Sequence, residues 1–297
     1  MSMKDPSNRV ISLTRRREEK TGSSTKNTRR TRCSNARVIA ITSGKGGVGK
    51  TSIVGNLGYA LTKLGKKVLI LDADLGLGNL DVLLGLAPKY NLSHVILGEK
   101  TIDEIIVEGP GKMKILPASS GIQELTNLTK DQKIQIFTQL DILIDSVDVL
   151  FIDTAAGISS NVMDFNATAQ EVVVVVSPEP TSITDAYALM KVLSLKYSGK
   201  ACKLMVNMVS RPEEGREVFR QLQLVTDRFL DINIEYLGYV LFDAKVTKGV
   251  KCQKVVSELY PETHASRCFT DISKKIFNMS PLDLPKGGSN LFWQHLI

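Results

Sequence analysis

No two of the four cysteines, Cys33, Cys202, Cys252 and Cys268, stand close enough to form a CxxC pair. That spacing excludes a disulfide framework and a zinc site of the usual sequence pattern, and it implies isolated reduced thiols. Long apolar runs are absent as well. The longest purely aliphatic stretch is Val172 to Val176, far short of the roughly 20 residues needed to cross a bilayer. The start of the chain has no apolar segment of signal-peptide type. These absences lead to the expectation of a cytoplasmic protein whose membrane contact is at most peripheral. Acidic charge is scarce in one region only. Residues 1–37 hold 11 Lys/Arg against 3 Asp/Glu, a net of +8, whereas the remainder holds 27 against 28, a net of −1. The formal net charge of +7 therefore belongs to the tail. Net charge gives no reason to read the body as binding nucleic acid.

What is present is an ordinary globular composition, 43% hydrophobic and 23% charged over 297 residues. Residues 1–37 are rich in Arg, Ser, Thr, Lys and Asn and show no periodicity. Such a segment cannot bury enough surface to offset its ordering entropy, so disorder is expected there. Its runs Arg15-Arg16-Arg17 and Arg29-Arg30-Thr31-Arg32 suit acidic partners, lipid or nucleic acid, and suit plain solvation equally. From Val38 onward the pattern changes. Strands are expected at 38–42, 67–71, 113–116, 149–152, 171–176, 204–207 and 236–241. Helices are expected at 52–64, 131–147, 182–195, 213–229 and 263–278. Most of the strands are continuously apolar, as parallel strands covered on both faces are. The alternation predicts a doubly wound, mostly parallel α/β sheet flanked by helices over residues 38–280. Residues 281–297 are left as a C-terminal tail with a short apolar segment.

The chemistry begins where the first strand ends. Ala40-Ile41-Thr42-Ser43 leads into Gly44-Lys45-Gly46-Gly47-Val48-Gly49-Lys50-Thr51, and a helix pattern follows directly. This is GxxxxGK[ST] in its strand–loop–helix context, the P-loop of nucleoside-triphosphate sites. The glycines let backbone N–H groups curl around phosphate oxygens, and the helix N-terminus favours negative charge. Lys50 is expected to neutralise the β- and γ-phosphates and the Thr51 hydroxyl to bind Mg²⁺. Ser52 is placed to donate to the α-phosphate. Two further strands end in acids. Val68-Leu69-Ile70-Leu71 runs into Asp72-Ala73-Asp74, and Val149-Leu150-Phe151-Ile152 runs into Asp153. An acid at a strand end can serve as no more than a helix cap, but Asp153 also has the Walker B form and is expected to hold Mg²⁺. Asn207 ends another strand, and its amide has the donor and acceptor to pair with both N6 and N7 of adenine. Arg211 follows closely enough to stack on a base. Turn and surface roles are the plainer alternative for Asn207 and Arg211.

The early Lys45 makes the loop a deviant Walker A, KGGxGK[ST]. With it the chain resembles the MinD/ParA family of ATPases. The resemblance implies that Lys45 reaches across a homodimer interface to the partner's nucleotide. It also implies that Asp74 orients the attacking water, that Asp72 lies near the P-loop, that Asp153-Thr154-Ala155-Ala156-Gly157 is the second switch, and that the base is adenine, contacted by Asn207. Three stretches resemble the FlhG/FleN branch more closely: Asp74-Leu75-Gly76-Leu77-Gly78-Asn79-Leu80-Asp81, the string from Ser177-Pro178-Glu179-Pro180-Thr181-Ser182 to Tyr187, and Lys248-Gly249-Val250-Lys251-Cys252-Gln253-Lys254. Members of that branch control flagellar number and placement. What the resemblance implies is a slow, Mg-dependent ATPase that dimerises with ATP. Its expected partners are a second copy of itself and an FlhF-like GTPase, a flagellar switch protein or a flagellar transcription activator.

Two departures stand out. The DQAxxLR-type start that stimulates FlhF in many members cannot be mapped onto Met3 to Leu13. After Pro285-Lys286-Gly287-Gly288 only Asn290 to Ile297 remain, with an apolar face (Phe292/Leu296 and Trp293/Ile297) but no Lys or Arg to meet anionic lipid. Weak membrane contact and packing on the body both stay open for that segment. The alternatives are a MinD-type division-site ATPase, which would show a basic C-terminal amphipathic helix, and a ParA-type DNA segregation ATPase, which the body's net charge disfavours. An Mrp-type iron–sulfur carrier would need the CxxC that is missing.

Overall fold

Alternate residues of each central strand feed opposite faces of one sheet. The computed structural model describes residues 36–119, 121, 128–197, 201–230 and 232–278, all inside the compact unit Arg32–Ile297. Its strands are β1 (Arg37–Ser43), β2 (Val68–Ala73), β3 (Val107–Glu108), β4 (Lys114–Leu116), β5 (Val149–Ala156), β6 (Glu171–Val176), β7 (Cys202–Val209) and β8 (Ile234–Leu241). They form one sheet in the order β3-β4-β2-β5-β1-β6-β7-β8. Every pairing is parallel except that of β3 with β4. The helices are α1 (Lys50–Lys63), α2 (Leu80–Leu83), α3 (Leu92–Ile96), α4 (Lys130–Ile144), α5 (Ser160–Thr168), α6 (Pro180–Lys196), α7 (Pro212–Phe229), α8 (Ala244–Lys251), α9 (Val256–Leu259) and α10 (His264–Asn278).

On β1, Val38 and Ala40 join one core with Ile136, Phe137 and Leu140 of α4. Ile39 and Ile41 join another with Ile53 and Leu57 of α1 and Phe269 of α10. On β6, Val173 and Val175 share that second core, while Val172, Val174 and Val176 pack with α6 and α7. Burial on both faces is why these strands read as unbroken apolar runs. The expected doubly wound, mostly parallel α/β fold is the one the chain adopts.

Several boundaries differ from the sequence reading. β1 opens at Arg37, which is buried, although that residue had been grouped with the basic tail; its charge is neutralised inside the domain. β5 runs on through Asp153 to Ala156. β3, the helix α5 and the short α2, α3, α8 and α9 had not been anticipated. Their brevity or mixed polarity leaves little periodic signal. The tail residues 1–35 and the segment 290–297, with its question of lipid contact, lie outside the described residues. No helix among the described residues is long and apolar enough to cross a membrane.

Strand order reverses beside β1, between β5 and β6, and ligands of open α/β sheets sit at such a point outside the carboxyl ends of the strands. The opposite end is closed by a buried charge cluster. Arg37 Nε donates to Glu171 Oε1 at 2.8 Å, Lys203 pairs with the other carboxylate oxygen, and an Arg37 Nη bonds the carbonyl of Ile276 in α10. The Glu171 side chain is only 2% exposed. Removing one member of a buried ion pair typically costs about 3–5 kcal/mol because the remaining charge is stranded. Glu171→Ala is therefore expected to lower unfolding free energy by about that amount in urea titrations. An unchanged midpoint would mean that the cluster contributes nothing net.

Candidate functional site

The loop between β1 and α1 is shaped by two kinds of glycine. Gly47 and Gly49 adopt φ of 81° and 89°, a left-handed region that favours glycine. Gly44 is constrained by space instead, since a Cβ there would lie 2.1 Å from the carbonyl oxygen of Asp185 in α6. The loop is thus seated against α6 on one side and left open over Gly46 and Gly47, where a Cβ would meet nothing within 4 Å. Gly49 immediately precedes α1 and its carbonyl accepts from Ile53 N at 2.9 Å. The first N–H groups of α1, from Lys50, Thr51 and Ser52, follow at once, with no side-chain cap in front of them.

The two lysines of the loop part company. Lys50 turns inward, its Nζ donating to Ser43 Oγ at 2.9 Å. Burial pushes its pKa down, and the nearby charges of Asp153 and Asp74 oppose that shift. Lys45 turns outward. Its Nζ lies 2.6 Å from Glu179 Oε2 and donates to Thr181 Oγ1 at 2.8 Å, at the exposed start of α6. The partners Glu179 and Thr181 were not singled out from sequence, although they fall inside the string quoted for its family resemblance.

Three carboxylates gather at the ends of β2 and β5. Asp72 and Asp153 face each other in register across these strands, and both are buried. Burial and the charge of Asp153 push the Asp72 carboxyl well above the usual range. Asp72 accepts from Asp74 N at 3.1 Å and from Leu80 N at 3.2 Å, so it holds both ends of the turn between β2 and α2. Within that turn Asp74 Oδ1 accepts from Leu77 N at 3.2 Å. Burial raises Asp153 to about 7 against the opposing pull of its Thr51 hydrogen bond and of Lys50. Asp153 Oδ1 is buried with no hydrogen-bond partner. A buried acceptor of that kind next to a Thr hydroxyl is a hard-oxygen pair suited to Mg²⁺. Among the described residues no three His, Cys, Asp or Glu side chains form a metal-holding group, so such an ion would need nucleotide oxygens to complete its shell. The end of the segment Asp153 to Gly157 is tied to the same place, since Gly157 N donates to Ser43 O at 2.9 Å.

A small cleft of about 70 Å³, partly open to solvent, adjoins the loop and is lined by Gly49, Ser52, Asn207, Met208, Phe242 and Asp243 among others. Asn207 Nδ2 donates to Val48 O at 2.8 Å. That bond engages one of the two N–H groups of the amide and leaves the other, with Oδ1, for a two-point contact with a base. An acceptor there suits the exocyclic amino group of adenine over the carbonyl of guanine. Arg211 is exposed at the N-cap of α7 and is not among the residues that line the cleft. Phe242, Asp243 and Met208 had been missed. Met208 has φ 61°, a backbone state that sequence does not announce for methionine.

Comparison with known proteins fits this geometry. Residues 36–204 match the AAA domain family. The chain is 44% identical over 260 residues to the antiactivator FleN of Pseudomonas aeruginosa, covering 88% of this chain and 93% of that one. It is 33% identical over 267 residues to the flagellum site-determining protein YlxH of Helicobacter pylori, covering 89% and 90%. The septum site-determining protein MinD of Pyrococcus horikoshii, solved with Mg-ADP, superposes with a TM-score of 0.69 at 25% identity, covering 82% of this chain and 96% of that one.

A Cβ on Gly49 would lie 2.6 Å from Asn207 Nδ2 and would carry a side chain at positive φ. Strain of this kind is worth about 1–3 kcal/mol. Gly49→Ala is expected to weaken ATP binding about tenfold or more by isothermal titration while circular dichroism stays native. Wild-type affinity would show that Gly49 does not shape the site.

Proposed function

The chain belongs to the FleN/FlhG family of MinD/ParA-type P-loop ATPases, and we propose that it works as an ATP-timed switch that dimerises on Mg-ATP and restrains flagellar number and placement. The observation that carries this reading is the division of labour between the two loop lysines. Lys50 is half-buried and turned inward near Asp153 and Asp74, while Lys45 stands at the open edge with Glu179.

In this reading the backbone N–H groups from Gly44 to Ser52 surround the triphosphate, and Lys50 leaves Ser43 to neutralise the β- and γ-phosphates. Thr51 and Asp153 hold Mg²⁺, which supplies neutralisation of the charge developing on the phosphate oxygens. Asp74 aligns the attacking water. Phosphoryl transfer asks mainly for such alignment and electrostatic stabilisation. Asp72 keeps Asp74 in place through the Asp74 and Leu80 amides. Lys45 faces the second protomer and reaches its nucleotide, so the complete site exists only in the dimer. Asn207 Oδ1, in the cleft with Phe242 and Asp243, selects adenine. Turnover is slow, and the lifetime of the dimer sets how long the signal lasts.

The partner acted on is a flagellar transcription activator, an FlhF-like GTPase or a flagellar switch protein. The setting is cytoplasmic, with any membrane or polar association peripheral. The proposed organisation is a basic tail over residues 1–37, an ATPase body to residue 280 and a short C-terminal tail.

Two measurements test the reading. Lys50→Ala is expected to abolish ATP binding and ATP-dependent dimerisation, whereas Asp74→Ala is expected to keep ATP binding and accumulate dimer with phosphate release reduced at least about a hundredfold. Light scattering and a phosphate-release assay read both, and normal turnover by the Asp74 variant would refute its role. In cells, deletion of the gene is expected to give extra flagella, restored to normal by the wild-type chain and not by Lys50→Ala. Minicells would favour a division-site ATPase, and chromosome loss a DNA segregation ATPase.

A further inference from the structure

The segment that follows α8 touches two elements of the nucleotide site at once. Gln253 Nε2 donates to Val82 O of α2 at 3.0 Å, across 171 residues of sequence. Further on, Ser257 N donates to Asn56 Oδ1 of α1 at 3.0 Å, and Asn56 Nδ2 donates to Ser52 O at 2.8 Å in the first turn of α1. Between these contacts Val255 and Val256 are buried in the same core as Leu80 and Leu84 of α2 and Ile53 and Leu57 of α1. A Cβ on Gly55 of α1 would lie 3.3 Å from Val255 Cγ1 and 3.5 Å from Leu84 Cδ2. Residues 253–257 thus bridge the helix that carries Lys50 and the helix that follows Asp74.

At the α2 end of the bridge, Gln253 takes φ 55°, a left-handed state uncommon for a non-glycine residue and one that surrounding structure must enforce. The turn enforces it: Cys252 N and Lys254 N both bond Gly249 O at 3.0 Å, and Gln253 N bonds Val250 O at 3.0 Å. Gly85, just past α2, closes on the same residue, since a Cβ there would lie 3.2 Å from Gln253 O.

The helix α2 needs such support. It has four residues, well below the length at which a helix holds itself in water. Its N-cap Asn79 makes no side-chain capping bond. Leu80 N donates instead to Asp72 Oδ2 at 3.2 Å, and Asp72 Oδ1 accepts from Asp74 N at 3.1 Å. At the far end, Val82 O accepts from Gly85 N and from Gln253 Nε2. Asp72 therefore fixes one end of α2 and Gln253 the other, and the turn bearing Asp74 runs directly into this helix. Gln253 and Val82 are both exposed, so water competes for their bond and its net contribution to stability is small. What the bond sets is where α2 stands.

We infer that Gln253 is a positioning residue for ATP hydrolysis, holding α2 so that the turn after β2 keeps Asp74 aligned on the attacking water. The inference rests on the reading of Asp74 as the residue that aligns this water, and it adds a contact from a distant part of the chain. Alignment is demanding, because a misplacement of about 1 Å can cost about a hundredfold in rate.

Gln253→Glu keeps the shape of the side chain and, above neutral pH, offers the Val82 carbonyl no donor. Its turnover at saturating ATP is expected to fall about tenfold in a phosphate-release assay, while ATP affinity by isothermal titration and the ATP-dependent dimer by light scattering stay within about twofold of wild type. Gln253→Gly adopts the left-handed turn freely and also lacks the donor, so it should show the same loss. In an Asp74→Ala background, Gln253→Glu should change the residual turnover by less than about twofold, because both residues act on one step. Turnover within twofold of wild type in either single variant would overturn the inference. So would loss of ATP binding or dimerisation in step with turnover, the mark of plain structural support, and so would a further tenfold loss on top of Asp74→Ala. Normal turnover by Asp74→Ala alone would refute the role of Asp74 and this route through it together, whereas a slow Asp74→Ala beside a normal Gln253→Glu would sink only the role of Gln253.

Discussion

The balance of charge at the carboxyl ends of β1, β2 and β5 sets the terms for the rest of the molecule. Parallel strands bring Asp72 and Asp153 into register, Asp74 follows one of them, and Lys50 enters from the loop above. Burying carboxylates and an ammonium so close together is costly unless each finds a partner. The protein meets that cost by several routes. Backbone amides of Asp74 and Leu80 satisfy Asp72, the Thr51 hydroxyl meets Asp153, and Ser43 receives Lys50. These arrangements fix the turn after β2 on Asp72, join β5 to the start of α1 and brace the phosphate loop on the end of β1. A ligand that changes the charge in this pocket must therefore act on all three.

The outer lysine extends the same logic to the surface. Lys45 is close enough in sequence to share the loop's conformation, yet it points away and meets Glu179 and Thr181 at the start of α6. The same helix closes on Gly44 from below. A surface ion pair of this exposure contributes little to stability, on the order of 0–1 kcal/mol. Its weight lies in where it leaves the ammonium, at an open edge and free to change partner at small cost.

Legibility in the sequence followed burial and locality. The central strands β1, β2, β5 and β6 could be read most readily because both of their faces are largely covered, which forces continuous apolar runs such as Val172 to Val176. The phosphate loop could be read because its glycines, lysines and Thr51 are adjacent in the chain. Arg37 was misassigned to the tail because its neutralising partners, Glu171 and the Ile276 carbonyl, are 134 and 239 residues away. The cleft beside the phosphate loop was half legible for a related reason. Asn207 stands near the end of an apolar strand pattern and is legible there, although β7 runs on to Val209; Phe242 and Asp243 directly follow β8, and only the fold brings them alongside. The hydrogen bond from the Asn207 amide to Val48 is a tertiary contact that no local pattern encodes. Arg211, close in sequence, is exposed at the N-cap position of α7 and does not line the cleft.

A crystal structure of the full chain with Mg²⁺ and a non-hydrolysable ATP analogue tests the central claim most directly. The account predicts phosphate oxygens on the amides of the 44–51 loop and Lys50 Nζ moved from Ser43 onto the β- and γ-phosphates. It also predicts the metal between Thr51 and Asp153, and Lys45 released from Glu179 toward a second protomer. Nucleotide bound elsewhere, or bound in the loop with Lys50 still on Ser43 and no second protomer engaged, would contradict it.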